Sequence, residues 1–235
     1  MGYVDTEAYE KEQRTDEKAL HRRAAQIKIL IADDHVLIRE GLKKILKSAS
    51  DITVVSEAQN SKEVFEELQK HEVDVVVLDI SFPGKSGLEI LKDLKQQYPK
   101  LPVLILSMHP EDRFATRSFK AGAAGYITKD SAAEELIRAI RKVVDSRKYV
   151  SSTLAEKLAF NLESDAGKPL HETLSDREYQ VLCMIAMGKT VKDIAAELSL
   201  SINTINTYRA RVLEKMKMSK DAELIRYALQ NRLVE

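Results

Sequence analysis

Asp33, Asp34, Asp79, Ser107 and Lys129 are the side chains with which this chain could do chemistry, and each stands at the end of an apolar run. Ile27–Ala32 ends in Asp33-Asp34, and Val73–Leu78 ends in Asp79. Pro102–Leu106 ends in Ser107, and Ala123–Thr128 ends in Lys129. Three carboxylates crowded together repel one another, and a hard divalent cation relieves that repulsion. Mg²⁺ suits oxygen ligands and keeps waters, with room for a substrate phosphate. A lysine supplies a point charge for a phosphoryl oxygen. Together these groups can move a phosphoryl group, with Asp79 as the acceptor.

For that chemistry the runs must be strands of one sheet. Val73-Asp-Val-Val-Val-Leu-Asp79 is rich in β-branched residues and is stopped by Pro83-Gly84. It reads as a strand buried on both faces, as in a parallel sheet flanked by helices. Such sheets place ligand chemistry at the carboxyl ends of their strands. Between the runs, residues 36–46, 61–69, 87–94, 111–121 and 132–144 carry apolar side chains at helical spacing. Five strand-helix units with right-handed crossovers predict an α/β doubly wound, five-stranded parallel sheet of flavodoxin-like order 2-1-3-4-5. That order sets strands 1 and 3 side by side and makes Asp33, Asp34 and Asp79 neighbours.

The ordered set Asp33-Asp34, Asp79, Ser107, Lys129 resembles the receiver domain of two-component response regulators, over about residues 27–147. Pro83, Gly84 and Gly87 after the acceptor fit that pattern, as does Tyr126 three residues before the lysine. The resemblance implies Mg²⁺ held by Asp34, Asp79 and the main-chain carbonyl of Ser81, with Asp33 acting partly through water. It implies phosphoryl oxygens held by Lys129 and Ser107, and Tyr126 following Ser107 inward as a switch. Pro83-Gly-Lys-Ser86 is a decoy for a nucleotide-binding loop, because the position that needs the earlier glycine is Asp79.

From Leu174 the pattern is helical throughout. Ser175-Asp-Arg-Glu178 is a capping box for a helix ending at Gly188, and Thr190-Val-Lys-Asp193 opens a short second helix. The turn Ser199-Leu-Ser201 leads to a third, from Ile202 to about Lys217, and the fourth spans Asp221 to Gln230. Two short helices joined in this way are a helix-turn-helix, the later one entering the major groove. Leu174-Ser-Asp-Arg-Glu, Asp193-Ile-Ala-Ala-Glu-Leu198, Ser201-Ile-Asn-Thr-Ile205 and Arg211-Val-Leu-Glu-Lys215 resemble the LuxR-type DNA-binding domain. Receiver plus this domain resembles the NarL/FixJ class of transcriptional response regulators. Asn206 stands where the family often has lysine, and Tyr208 where histidine is common. Asn206 can read adenine through paired hydrogen bonds. Asn203, Thr204, Asn206 and Thr207 form a polar, uncharged patch opening the helix. Phosphate grip is expected from Lys189, Lys192, Arg209, Arg211 and Lys215. In the family the last helix often dimerises, which makes Leu224, Ile225, Ala228 and Leu229 candidates for a homodimer surface; packing within the domain is the competing use of the same stripe.

Composition sets the outer bounds. The 235 residues carry a formal net charge of zero, so any nucleic-acid surface must be local. Residues 173–235 hold ten Lys/Arg against eight Asp/Glu. So small an excess predicts modest affinity per monomer and a need for dimerisation on double-stranded promoter DNA. One cysteine, Cys183, excludes a disulfide framework and a multi-cysteine zinc site. No apolar run approaches the roughly 20 residues of a membrane span, and the charged start argues against a signal peptide; a cytoplasmic location follows as the expectation. Residues 1–25 read as a charged, disordered extension, 26–147 as the receiver, 148–172 as a linker with a short helix over Ser151–Leu162, and 173–235 as the DNA-binding domain. The expected function is a phosphorylation-controlled transcriptional regulator and not an enzyme, served by a sensor histidine kinase. The competing readings are a regulator that uses the receiver only for assembly, and a haloacid-dehalogenase-type phosphatase. The latter needs a second acid where Ser81 stands.

Overall fold

The computed structural model describes residues 26–82, 85–108, 111–131, 133–151, 154–155, 169–231 and 233–234, with 111–113 described in the main chain only. Its first half alternates strand and helix: β1 (Ile27–Ala32), α1 (Val36–Leu46), β2 (Ile52–Ala58), α2 (Ser61–Lys70), β3 (Val75–Asp79), α3 (Gly87–Gln97), β4 (Val103–Ser107), α4 (Glu111–Lys120), β5 (Gly125–Thr128) and α5 (Ala133–Val144). The five strands pair in parallel in the order β2-β1-β3-β4-β5, as the sequence pattern predicts.

Alternation along the strands builds a core on each face of the sheet. Leu30, Ala32, Val76, Leu78, Ile105 and Tyr126 face α2, α3 and α4. Ile29, Ile31, Val75, Val77, Leu104, Leu106 and Ile127 face α1 and α5. All five residues of β3 are buried, which is why its run is apolar throughout rather than alternating. Each such side chain contributes about 1.5–3 kcal/mol relative to its exposed state. The turn after β3 depends on Gly87. Its amide donates to the Ile80 carbonyl at 2.9 Å, and a Cβ there would lie 2.1 Å from the Asp79 carbonyl oxygen. Ser86 then caps α3 in a complete capping box with Glu89.

The second half is helical. A 3-10 turn (Leu170–Thr173), which the sequence reading does not include, precedes α6 (Asp176–Ala186), α7 (Val191–Glu197), α8 (Ile202–Lys215) and α9 (Asp221–Gln230). The Ser175/Glu178 and Thr190/Asp193 capping boxes both form, and Ser201 caps α8. Gly188 closes α6 at φ +80°, and Ser199 makes the α7–α8 turn at φ +51°, a conformation uncommon outside glycine. Residues 177–185 of α6 are buried all round, because α8 and α9 cover one side and the receiver half covers the other.

Strand boundaries shift modestly from expectation. β3 starts at Val75 and β5 at Gly125. The extension 1–25 and most of the expected linker helix lie outside the described residues; Leu154 is described and is buried. Among the described residues no helix is long and apolar enough to cross a membrane.

Candidate functional site

Register explains how acids distant in sequence meet. Ala32 pairs with Leu78, Asp79 with Leu106, and Ser107 with Thr128. Asp33, Asp34, Asp79, Ser107 and Lys129 therefore emerge together at the carboxyl edge of three neighbouring strand pairs. Lys129 Nζ lies 2.8 Å from Asp79 Oδ2 and 2.6 Å from Asp33 Oδ2. Its own amide donates to the Ser107 carbonyl at 2.7 Å, which sets the position of the lysine against β4. The other oxygens of the two buried acids accept main-chain amides: Ser81 N–H to Asp79 Oδ1 at 3.1 Å, and His35 N–H to Asp33 Oδ1 at 2.8 Å.

Burial pushes the Asp79 carboxyl above the ordinary aspartate range. Lys129 opposes that, and the Asp33 carboxylate adds to it. Burial alone would lower the Lys129 ammonium, but the carboxylates of Asp79 and Asp33 outweigh it and hold the group above the usual lysine range. The site is thus an acid cluster with one cation closed down on it.

One ligand atom from each of Asp33, Asp34, His35 and Asp79 lies within 4.8 Å of the others. Three carboxylates in that space are a hard-oxygen donor set that fits Mg²⁺. Asp34 is the most accessible of the three acids, its side chain about a quarter exposed at 26%, so the open side of the cluster is there. His35 precedes α1 as its N-cap, and its Nδ1 also reaches Asp34 Oδ1 at 2.9 Å.

Arg39 was not legible as a site residue. It is buried, donates to the Asp33 carbonyl at 2.8 Å, and pairs with Glu57 at 2.9 Å. It fixes the main chain that carries the acid pair. Its only sequence signal is a position one helical turn into α1. A second unforeseen feature is an exposed apolar rim: Val36, Leu37 and Met108 are 56, 86 and 70% exposed. Leu37 also lines a cavity of about 140 Å³ shared with Ile38, Leu106, Lys129 and Leu136.

Ser107 and Tyr126 are both fully buried. Strand alternation sets the Tyr126 ring on the α3–α4 face of the sheet, in the same apolar layer as Phe114 and Ala123. The expected inward step of this ring has no exposed starting point here, because the ring is already inside.

In the second half, Asn203, Asn206 and Thr207 are exposed on the first turns of α8, with Thr204 half-buried. Thr204 meets the Ser201 hydroxyl at 2.8 Å, and the Thr207 hydroxyl donates to the Asn203 carbonyl at 2.9 Å. Among the described residues neither asparagine amide has an intramolecular partner. The cations divide. Lys189 pairs with Glu197, Arg209 with Asp221 at 2.8 Å, and Lys215 with Glu178 at 2.6 Å. Each of these three candidate phosphate contacts thus also serves an intramolecular ion pair. For Lys215 the reason is plain, since Glu178 is a buried carboxylate that needs a counter-charge. Lys192 and Arg211 are exposed and unpaired among the described residues.

The expected dimer stripe divides too. Leu224 and Ala228 are fully buried in the domain's own core, so they leave the candidate surface. Leu229, half exposed, and the partly buried Ile225 remain.

Comparisons with known proteins give the family of both halves. Residues 29–141 match the family model "Response regulator receiver domain", and residues 172–228 match "Bacterial regulatory proteins, luxR family". Response regulator GacA of Pseudomonas aeruginosa is 36% identical over 210 residues, 89% of this chain and 98% of that one. Response regulator UvrY of Escherichia coli is 34% identical over 208 residues, covering 88% and 95%. Among solved structures, RcsB from Salmonella enterica serovar Typhimurium, bound to promoter rprA in the presence of the phosphomimetic BeF3⁻, is similar with TM-score 0.60 and 26% identity, covering 86% and 98%.

Proposed function

Because the chain belongs to the two-component response regulators that join a receiver to a luxR-type DNA-binding domain, we propose that Asp79 is its phosphoacceptor and that phosphorylation there controls promoter binding. The observation that carries this is Lys129 bridging Asp79 and Asp33 at the sheet edge. In the proposed reaction a carboxylate oxygen of Asp79 attacks the phosphorus of a phosphohistidine on a sensor kinase, or of a small phosphodonor. The bond from phosphorus to its donor atom breaks as the acyl phosphate forms. Lys129 then exchanges its Asp79 contact for a phosphoryl oxygen, and the Ser107 hydroxyl donates to another. Asp33, Asp34, Asp79 and the Ser81 carbonyl would hold Mg²⁺, which supplies charge neutralisation for the transferring group.

Support for a protein donor comes from the apolar rim of Val36, Leu37 and Met108 beside the acids, a surface suited to a partner's apolar side chains. Support for DNA as the output comes from the exposed amides of Asn203 and Asn206 with Lys192 and Arg211 nearby on the helix-turn-helix. RcsB structures are solved with DNA and as dimers. Dimerisation here is assigned to Leu229 and Ile225 of α9. These relatives are regulators, and Ser81 stands where a phosphatase of the haloacid dehalogenase type needs its second acid.

The test is selection of genomic fragments on the full-length protein with and without acetyl phosphate and Mg²⁺. The expected result is a defined subset of fragments, retained more tightly after phosphodonor treatment. Retention of no fragment under either condition contradicts the DNA-binding output, and identical retention under both contradicts its control by phosphorylation.

A further inference from the structure

The acid pair is braced from behind by β2. Strands β1 and β2 pair in step from Ile27 with Ile52 to Ile29 with Val54. They then slip by one residue, so that Leu30 meets Ser56 and Ile31 meets Glu57. Val55 is the extra residue, an irregularity that re-aims the side chains beyond it. An unbroken ladder would set Glu57 beside Ala32, on the opposite face of the sheet. The slip sets it beside Ile31 instead, on the face that α1 covers. There Glu57 Oε2 accepts from Arg39 Nε at 2.9 Å, and Oε1 accepts from Lys43 Nζ at 2.7 Å. Burial would raise the Glu57 carboxyl, but Lys43 and Arg39 outweigh it and hold the group below the usual glutamate range. Glu57 is therefore an anion, and it fixes the direction of a guanidinium that is buried.

The other end of that guanidinium reaches the acid pair. Arg39 Nη1 donates to the Asp33 main-chain carbonyl at 2.8 Å. The Asp33 amide donates to the Ala58 carbonyl at 3.1 Å, so both main-chain polar groups of Asp33 are held. The Asp33 carbonyl and the Asp34 amide belong to one planar peptide. Holding that carbonyl therefore sets the plane from which Asp34 departs. The Asp33 side chain has holds of its own in Lys129 and the His35 amide. Among the described residues the Asp34 side chain has the exposed His35 ring alone, so its direction depends on the main chain beneath it.

We propose that Arg39 is a positioning residue for the divalent cation: anchored by Glu57, it holds the Asp33–Asp34 peptide in the plane that aims the Asp34 carboxylate at the ion shared with Asp79. This rests on the acid cluster binding Mg²⁺. Charge alone argues the opposite way, because a guanidinium near a cation site repels the ion. Removing Arg39 tightens Mg²⁺ binding if only charge matters, and weakens it if Arg39 aims a ligand.

The experiment is calorimetric titration of the full-length protein with Mg²⁺, beside melting curves without the ion, for the parent, Arg39→Met and Lys43→Met. Arg39→Met is expected to raise the Mg²⁺ dissociation constant about tenfold, as loss of a ligand-orienting partner does. Lys43→Met also removes a cation that pairs with Glu57, but it leaves the bond to Asp33 in place. Its dissociation constant stays within about twofold of the parent, whatever its melting temperature does, because no orienting bond is lost. Should Arg39→Met fail to fold, the charge-conserving pair Arg39→Met with Glu57→Gln decides the matter. Ion pairs tolerate removal of both partners better than removal of one, and the same loss of about tenfold is expected. A folded Arg39 variant that binds Mg²⁺ as tightly as the parent, or more tightly, overturns the proposal. So does a loss in Lys43→Met equal to that in Arg39→Met. A parent that binds no Mg²⁺ overturns the metal assignment itself, and this inference with it.

Discussion

Asp79 carries a charge where burial and the neighbouring Asp33 both disfavour it, and Lys129 offsets only part of that cost. A carboxylate in this condition lowers stability, a cost that functional sites commonly carry. Asp79→Asn removes one of three crowded negative charges while Lys129 keeps Asp33 as its partner. Without Mg²⁺ the variant is therefore expected to be more stable than the parent by about 1 kcal/mol, a rise of roughly 3 °C in melting temperature. Mg²⁺ should then raise the melting temperature of the parent more than that of the variant. Calorimetry with and without the ion measures both, and a variant that melts below the parent contradicts this account of the site. At this scale the sequence was informative. Asp33, Asp34, Asp79, Ser107 and Lys129 each end an apolar run, and while turn formation accounts for a single aspartate, it does not account for all five groups at neighbouring strand ends. Arg39 was not legible, because its role depends on reaching the Asp33 carbonyl and Glu57 across the fold.

Helix α6 is where element-level reading succeeds and then runs out. Its capping box was readable from Ser175 and Glu178, and it forms. What spacing could not reveal is that both sides of the helix are covered, which turns Arg177, Glu178 and Gln180 into buried polar residues. Glu178 Oε2 accepts from both the Ser175 amide and the Lys215 ammonium of α8. Burial raises its acidity constant's exponent, but Lys215 and the Ser175 groups outweigh that and hold the carboxyl below the usual glutamate range. A depressed carboxylate stabilises the fold above its unfolded value of 4.5 and loses that contribution as pH falls through the lower folded value. Glu178→Gln is therefore expected to destabilise the helical domain at neutral pH by about 1–3 kcal/mol. The gap to the parent closes as pH drops below 4.5, the starting point of that window. Denaturant melts across pH measure it, and a pH-independent difference contradicts the assignment. The same pairing gives Lys215 a structural partner that the sequence did not reveal. Exposed-face cations look alike in a string of letters, and only the fold tells which have buried carboxylates to serve. The dimer stripe fails in a related way: a period of 3.6 identifies an apolar face of α9 but not whether the domain itself uses it, and Leu224 and Ala228 do.

Across the whole molecule, the sheet order and the two halves were readable because local patterns suffice for them. Five strand-helix units permit few sheets, and a switch to purely helical spacing at Leu174 marks the second half. The contact between the halves was not readable. Arg117, Phe114, Tyr179 and Arg177 sit at helical positions that any soluble domain would fill, and their meaning appears only when α4 and α6 are side by side. That contact leaves the side-chain amides of Asn203 and Asn206 on α8 exposed. All of this depends on Asp79 being the group that receives the phosphoryl. The most direct measurement is the intact mass of the protein after incubation with acetyl phosphate and Mg²⁺, beside an Asp79→Ala control. The account predicts the gain of one phosphoryl group in the parent and none in the variant; an unchanged parent, or an equal gain in both, contradicts it.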